Sequence, residues 1–91
     1  MLKNKELSVI KESVPSGEYE IRHKHLNSRQ LFYILKGEAE IEIEGKTFVL
    51  KKDESIEIPP LHYHQLLNKN STALEFLVIS QPPSHEDRIT E

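Results

Sequence analysis

The sequence contains no cysteine and no tryptophan, only one methionine and three glycines, and no block of basic residues. Without cysteine the protein has no disulfide, thiolate ligand or thiol nucleophile, so any metal ion must be held by nitrogen and oxygen. The longest apolar runs, LFYIL and LEFLVI, are far shorter than the roughly 20 residues that cross a bilayer. The first residues also lack the apolar segment of a signal peptide. We therefore expect a cytoplasmic protein without a membrane partner.

The balance of charges argues against a nucleic-acid partner. Lys and Arg together number 12 and Asp and Glu number 15, which gives a net charge of −3 with neutral histidines. Nucleic-acid binding needs clustered cations that displace counterions from the phosphates, and the sequence has no such cluster. A hydrophobic fraction of 36% beside 30% charged residues is instead typical of a globular domain.

Short segments of alternating polar and apolar residues predict an all-β fold. The clearest is residues 38–44, where an alanine and two isoleucines alternate with four glutamates. We expect this segment to be an outer strand whose acidic face is solvated and discourages unwanted sheet pairing. A hairpin turn is predicted at Glu44-Gly45-Lys46. Eight or so such strands without a helical period predict a barrel or sandwich.

The length of 91 residues indicates a single domain with a thin core, because a chain of this size buries only about 60–65% of its unfolded surface. We assign residues 14–80 to the barrel, residues 7–12 to an N-terminal strand, and residues 81–91 to a tail that leaves the sheet. The strands at 31–35 and 73–79 are apolar on both faces. We therefore predict a homodimer, with the N-terminal strand available to extend the partner's sheet.

Four of the five histidines occur in two His-x-His pairs, His23 with His25 and His62 with His64. On a strand, residues i and i+2 point the same way with Cβ atoms about 6–7 Å apart, so both imidazoles can reach one metal ion. The odd positions from Tyr19 to His25 share one face of the predicted strand, so the two histidines lie on the same face as the apolar residues that precede them. An isolated pair of this kind is nevertheless more often exposed or hydrogen-bonded than metal-binding, and the surrounding spacing has to decide.

That spacing follows two regular patterns. The first is Gly17, five residues, His23-x-His25, four residues, Gln30, six residues and Gly37. The second is Asp53, five residues, Pro59-x-Leu61, two residues, His64, three residues and Asn68. These patterns resemble the two motifs of the cupin family, with Asp53 and Leu61 where the family usually has glycine. The resemblance covers residues 17–68 and implies a double-stranded β-helix, a jelly-roll barrel, with one divalent metal ion near its open end.

Carried over position by position, the resemblance implies His23, His25 and His64 as metal ligands, with Gln30 where the family usually has a glutamate ligand. A neutral amide leaves a divalent ion with a net charge of about +2, which favours anionic or chelating oxygen ligands and disfavours hard ions such as Mn²⁺. Alternatively, Gln30 stands off and leaves three histidines with open positions, or the site holds metal weakly or not at all. Zn, Ni, Fe and Mn all remain candidate ions.

The other candidate residues have less specific roles. His62 shares parity with His64 but does not fit the second motif, so it is assigned to the rim of the site or to a position that supports the ligands without contacting the ion. Three residues are expected to line the barrel: Tyr19, Ile21 and Phe32. In the tail, three residues either fold towards the barrel mouth and meet an anionic ligand or stay solvated: His85, Asp87 and Arg88.

The resemblance leaves the function open, because cupins include dioxygenases, sugar-phosphate isomerases and epimerases, decarboxylases and non-enzymatic binding modules. Three histidines with open positions favour a metal-dependent enzyme, dioxygenase-like or of other chemistry, that acts on a small oxygen-rich molecule. The alternative is a non-catalytic module that binds a small ligand or a metal ion. Isomerase chemistry is disfavoured, because it needs an inward acid or base and the glutamates of the clear strands face outward.

Overall fold

The structure is a computed structural model that describes residues 8–20, 22–25, 28–81 and 88–90. These residues contain nine β-strands, which are, in chain order, β1 (Ser8–Val14), β2 (His23–His25), β3 (Arg29–Lys36), β4 (Ala39–Ile43), β5 (Lys46–Leu50), β6 (Ser55–Ile58), β7 (His64–Leu67), β8 (Leu74–Gln81) and β9 (Arg88–Thr90). The described part of the chain contains no helix long and apolar enough to span a membrane.

The strands form two antiparallel sheets. One sheet has the order β1-β8-β3-β6 and the other has the order β5-β4-β7-β2-β9, so most neighbours are distant in sequence. Every second residue of the central strands points between the sheets and is buried there, as alternation along a strand requires. These residues form the core: Val14, Phe32, Ile34, Ala39, Ile41, Leu50, Ile58, Leu66, Leu74, Phe76 and Val78. The predicted all-β jelly-roll architecture is confirmed.

The alternation predicted for residues 38–44 is confirmed, because Ala39 and Ile41 are buried and the glutamates face outward, but the prediction of an outer strand is wrong. Strand β4 lies inside its sheet, between β5 and β7. Its outward glutamates have partners: Lys69 lies 2.8 Å from Glu40, and Glu42 binds Arg22. Periodicity identified the strand correctly, but it does not specify which strands pair with it, since pairing depends on residues far along the chain.

The two ends of the described chain both pair within the molecule. Strand β1 pairs along its whole length with β8 of the same chain, from Ser8 opposite Ser80 to Val14 opposite Leu74. The prediction that residues 81–91 leave the sheet is wrong for residues 88–90, because β9 pairs with β2 through three residue pairs. The tail residues His85 and Asp87 lie outside the described residues.

The strand parity expected from Tyr19 to His25 is broken by one extra residue. Tyr19 lies opposite Leu67 and His23 lies opposite His64. The first segment therefore advances four positions while the segment paired with it advances three. Such a bulge reverses which face the side chains occupy. The prediction that Tyr19 lines the barrel is therefore wrong, and its side chain is 64% exposed. Ile21 lies outside the described residues, and Phe32 is in the core as predicted.

Several turns require backbone conformations that favour glycine. The predicted hairpin between β4 and β5 is confirmed, with positive φ at both Glu44 and Gly45, as a type I′ turn demands. Asp53 and Leu61, which occupy glycine positions of the cupin motif, also have positive φ, 68° and 67°. The glycines of the motif thus mark positions that require positive φ. This chain keeps the positive φ there, although the aspartate and leucine side chains disfavour it.

We expect Leu61→Gly to stabilise the protein by about 0.5–1 kcal/mol, because relief of left-handed strain exceeds the added entropy of glycine in the unfolded chain. The Leu61 side chain is 57% exposed, so little packing is lost. Urea unfolding measures the change, and Leu61→Ala is the control because it shortens the side chain but keeps the strain. Equal stability of the glycine and alanine variants would contradict this account.

Candidate metal centre

The short strands β2 and β7 bring the two histidine motifs together. Their one residue pair is His23 opposite His64, and directly opposite residues of antiparallel strands share a face of the sheet. His25 is two residues from His23 and occupies the same face. All three side chains point between the sheets, where His23 and His25 are each 6% exposed and His64 is fully buried.

The three imidazoles form a compact group. The ring centroid of His23 lies 5.0 Å from that of His25 and 4.4 Å from that of His64, and the third ring pair is 5.9 Å apart. One nitrogen from each ring lies within 4.8 Å of the others. Zinc binds imidazole nitrogen at about 2.0–2.1 Å, so small ring rotations would let all three contact one ion. The group could therefore hold a metal ion.

The ring of His64 is oriented by its own loop. Its Nδ1 lies 3.2 Å from the backbone carbonyl oxygen of His62. Since a carbonyl oxygen can only accept, Nδ1 carries the proton and Nε2 carries the lone pair that a metal ion needs. Behind the ring, Phe32 packs edge-on with centroids 5.8 Å apart. These contacts fix both the tautomer and the position of the imidazole.

Gln30 lies on β3, in the sheet that faces the histidines. Its side chain is buried, and its Nε2 donates a hydrogen bond of 3.1 Å to Oγ of Ser80. Because the amide nitrogen faces Ser80, the amide oxygen is the atom that could face an ion. Ser80 was missed in the sequence, although a polar residue at the inward position that continues Leu74, Phe76 and Val78 was a usable signal.

His62 does not join the three buried histidines. Its side chain is exposed, and its Nδ1 donates to the carbonyl oxygen of Pro60 at 2.9 Å. It contributes to the site through its backbone carbonyl, which holds His64. The same loop is tied to β2, because the backbone N–H of Leu61 donates to the carbonyl oxygen of His25 at 2.7 Å.

A polar cluster on the outer face lies behind the histidines. Arg22 donates to both carboxylate oxygens of Glu42, at 2.6 and 3.1 Å, and the backbone N–H of Gly45 also donates to Glu42. The Tyr63 ring lies 5.1 Å from the guanidinium of Arg22 and 4.8 Å from the ammonium of Lys24. Since Arg22 precedes His23 and Tyr63 precedes His64, the cluster joins the outer faces of β2, β4 and the start of β7.

The cluster changes the acidity of the carboxyl at its centre. The hydrogen bond from the Arg22 guanidinium holds the pKa of Glu42 below its usual value against the opposing effect of burial, and the Gly45 N–H lowers it further. The carboxylate in turn raises the pKa of Arg22. Both shifts favour the ion pair, so Arg22 and Glu42 are both charged at neutral pH.

Comparison with known sequences identifies the family. A family model described as the cupin domain matches residues 10–80, and the chain therefore belongs to the cupin family. An uncharacterised protein of Methanocaldococcus jannaschii is 37% identical over 81 residues, which are 88% of this chain and 65% of that protein. A mannose-1-phosphate guanylyltransferase of Sinorhizobium fredii is 32% identical over 79 residues, 87% of this chain but only 15% of the enzyme. The chain thus spans less than two thirds of either relative.

Solved structures share the double-stranded β-helix. An uncharacterised double-stranded β-helix protein from Klebsiella pneumoniae is similar with a TM-score of 0.87 at 19% identity, over 98% of this chain and 77% of that one. KdgF from a Halomonas species has a TM-score of 0.86 at 18% identity, over 93% and 76% of the two chains. A predicted oxalate decarboxylase from Thermotoga maritima has a TM-score of 0.78 at 27% identity, over 82% and 65%.

We expect the Glu42–Arg22 contribution to stability to vanish in acid. A carboxyl whose pKa is lowered by folding stabilises the protein above the ordinary glutamate pKa of about 4.3, and this stabilisation is lost as the pH falls through the lowered value. The difference in unfolding free energy between wild type and Glu42→Gln should therefore shrink as the pH is lowered. Urea unfolding at several pH values measures it.

The matched control is Glu57→Gln. Glu57 pairs with Arg29 at 3.2 Å, but both side chains are more than half exposed, so its effect should be small at every pH. A difference between wild type and Glu42→Gln that is the same at neutral and strongly acidic pH would contradict the assignment.

Proposed function

We propose that this cupin binds one divalent transition metal ion per chain through His23, His25 and His64, and that it is a metal-dependent enzyme acting on a small oxygen-rich anion. The observation that supports this is the group of three buried imidazoles whose ligand atoms lie within 4.8 Å. Imidazole nitrogen suits Zn, Ni and Fe better than Mn. When bound, the ion would supply a Lewis acid that polarises a chelating oxygen of the substrate.

The chain's own residues would hold and shield this centre. The His62 carbonyl holds the proton of His64 on Nδ1, and Ser80 fixes the amide of Gln30. We propose Gln30 as an optional oxygen ligand that adds no charge. Phe32 and Ile58 are almost completely buried around this end of the barrel and would exclude water, which strengthens electrostatic interactions at the site.

The charge of the centre favours an anionic substrate. Three neutral imidazoles and an amide leave a dication with a net charge of about +2. Every polar residue that is buried as a whole within the described ranges is a serine, a histidine or an amide, although one carboxylate oxygen, Oε1 of Glu20, is also buried. One of the solved structures that the chain resembles is described as a predicted oxalate decarboxylase. Oxalate is a small chelating dianion, so this likeness agrees with the class of substrate proposed.

The second candidate function is a non-catalytic module that binds a metal ion or a small ligand. No described aspartate or glutamate is buried as a whole residue, which favours this module, since proton-transfer chemistry needs an inward acid or base. It also weighs against a sugar-phosphate isomerase. Turnover of a chelating acid by the metal-loaded protein would support the enzyme, whereas binding without turnover would support the module. We also propose a cytoplasmic location.

We expect the wild-type protein to take up one equivalent of Zn²⁺ or Ni²⁺, and His64→Ala to weaken this uptake by about 100-fold or more because a nitrogen ligand is lost. Gln30→Glu should tighten it, because the carboxylate adds a charge that a dication attracts and the Ser80 hydroxyl can still donate to it. Calorimetric titration of the metal-free protein with Zn²⁺, Ni²⁺, Fe²⁺ and Mn²⁺ measures each affinity.

The control for this series is His62→Ala, which removes an exposed imidazole but keeps the carbonyl that orients His64. Its metal affinity should equal that of the wild type. The metal assignment is wrong if the wild type takes up none of the four ions, or if His64→Ala binds as tightly as the wild type.

We also propose a homodimer formed through the outer face of the four-stranded sheet. Five apolar residues on that face are half-buried in the single chain, and Val9, Ile79 and Leu31 lie side by side across three strands, with Leu77 beside Tyr33. A second copy would cover this apolar surface. The described residues of the 91-residue chain contain no further element that could do so.

Light scattering should give twice the chain mass of 10.6 kDa at micromolar concentration. Leu77→Lys should shift the protein towards monomer, because it places a charge in the interface. Val49→Lys is the matched control, since Val49 is an exposed apolar residue on the other sheet. A wild type that stays at 10.6 kDa would refute the dimer.

A further inference from the structure

A cavity of about 450 Å³ opens between the last strands of the two sheets, β5 and β6. Its walls are largely apolar and come from both sheets: Ile43, Phe48, Ile56 and Pro59. Phe48 is 41% exposed although its strand position faces inward, opposite Ile41. A volume of this size is in the range of small-molecule sites, which are commonly apolar with a few polar groups.

The cavity adjoins the histidine group. Ile43 lies directly opposite His64 in the pairing of β4 with β7, so one cavity wall is the backbone neighbour of a proposed ligand. Ile56 lies opposite Phe32, whose ring packs against the His64 ring. An occupant of the cavity would therefore extend towards the three imidazoles.

The cavity lining includes one lysine, Lys46, for which the described part of the chain provides no ion-pair partner. Of the lining carboxylates, Glu57 pairs with Arg29 at 3.2 Å and Glu44 accepts the backbone N–H of Tyr63 at 2.9 Å. Lys46 also lines the cavity, and within the described ranges it forms no ion pair. Its ammonium lies next to an apolar wall and is a group of the lining that can attract an anion.

We propose that this cavity binds the apolar body of a small carboxylic acid, aromatic or branched, whose carboxylate is attracted by Lys46 and by the ion at the histidines. This inference rests on the proposed function and narrows its substrate class from any oxygen-rich anion to an amphipathic carboxylate. The apolar wall supplies affinity by removing the hydrocarbon part from water, while the charges orient the acid group.

The test uses three probes: benzoate, benzamide and acetate. Each is titrated into the Zn²⁺-loaded protein while the isoleucine methyl signals are followed by NMR. Benzoate should shift Ile43 and Ile56 and leave the core Ile34 and the outer Ile79 unmoved. Acetate, which lacks the apolar body, and benzamide, which lacks the charge, should each bind at least about tenfold more weakly than benzoate.

Two variants test the charge. Lys46→Gln should weaken benzoate binding several-fold and leave benzamide binding unchanged, whereas Lys52→Gln, in the exposed turn before β6 and away from the cavity, should behave as the wild type. The proposal is overturned if benzoate leaves Ile43 and Ile56 unmoved, if acetate binds as well as benzoate, or if Lys46→Gln binds benzoate as the wild type does.

The failure of this inference can be told from the failure of the metal proposal. The same samples are titrated with Zn²⁺ before any acid is added, so absent metal uptake contradicts the metal site alone. Benzoate is then added to the metal-free protein as well. Shifts at Ile43 and Ile56 there would support the cavity site, and unmoved signals in both samples would overturn it whatever the metal result.

Discussion

The pairing of His23 with His64 joins two short strands from distant parts of the chain, and the arrangement of the site depends on it. It places three imidazoles on one inner face of the five-stranded sheet, which the rest of the fold then has to cover. Strand β2 has only three residues and is held on its two sides by β7 and β9. On its outer side, the Arg22–Glu42 ion pair links the segment before β2 to β4.

The interior is divided between an apolar half and a polar half as a consequence. The core from Leu74 and Phe76 to Ile41 and Leu66 is fully buried and supplies the hydrophobic stabilisation. The other half holds buried histidines, Gln30 and Ser80, which stabilise less and require hydrogen-bond partners. A chain of 91 residues can form only a small hydrophobic core. That it places three imidazoles there supports a functional use of the site.

Much of the fold could be predicted because its signals are local. Alternating residues located β4, and the turn at Gly45 located the hairpin to β5. Motif spacing selected His23, His25 and His64 from five histidines, and these three do lie together. What could not be predicted depends on pairing between distant segments: the interior place of β4, the return of the chain as β9, and the extra residue before His23 that turns Tyr19 outward. A single sequence carries no signal for such register shifts.

Asp53 and Leu61 illustrate a different limit. Both depart from the usual glycine of the second motif, yet both keep the positive φ of the glycines they replace. The backbone shape is imposed by its surroundings, since the Leu61 N–H is bonded to the His25 carbonyl and Tyr33 donates to the Asp53 carboxylate. Tertiary contacts outweigh the local preference at these two positions.

The most direct test of the central claim is the position of a metal ion in crystals grown with Zn²⁺. The account predicts one strong anomalous difference peak per chain, about 2.0–2.1 Å from an imidazole nitrogen of each of His23, His25 and His64. A map with no peak between these three rings, or with zinc only on exposed groups such as His62, would contradict it.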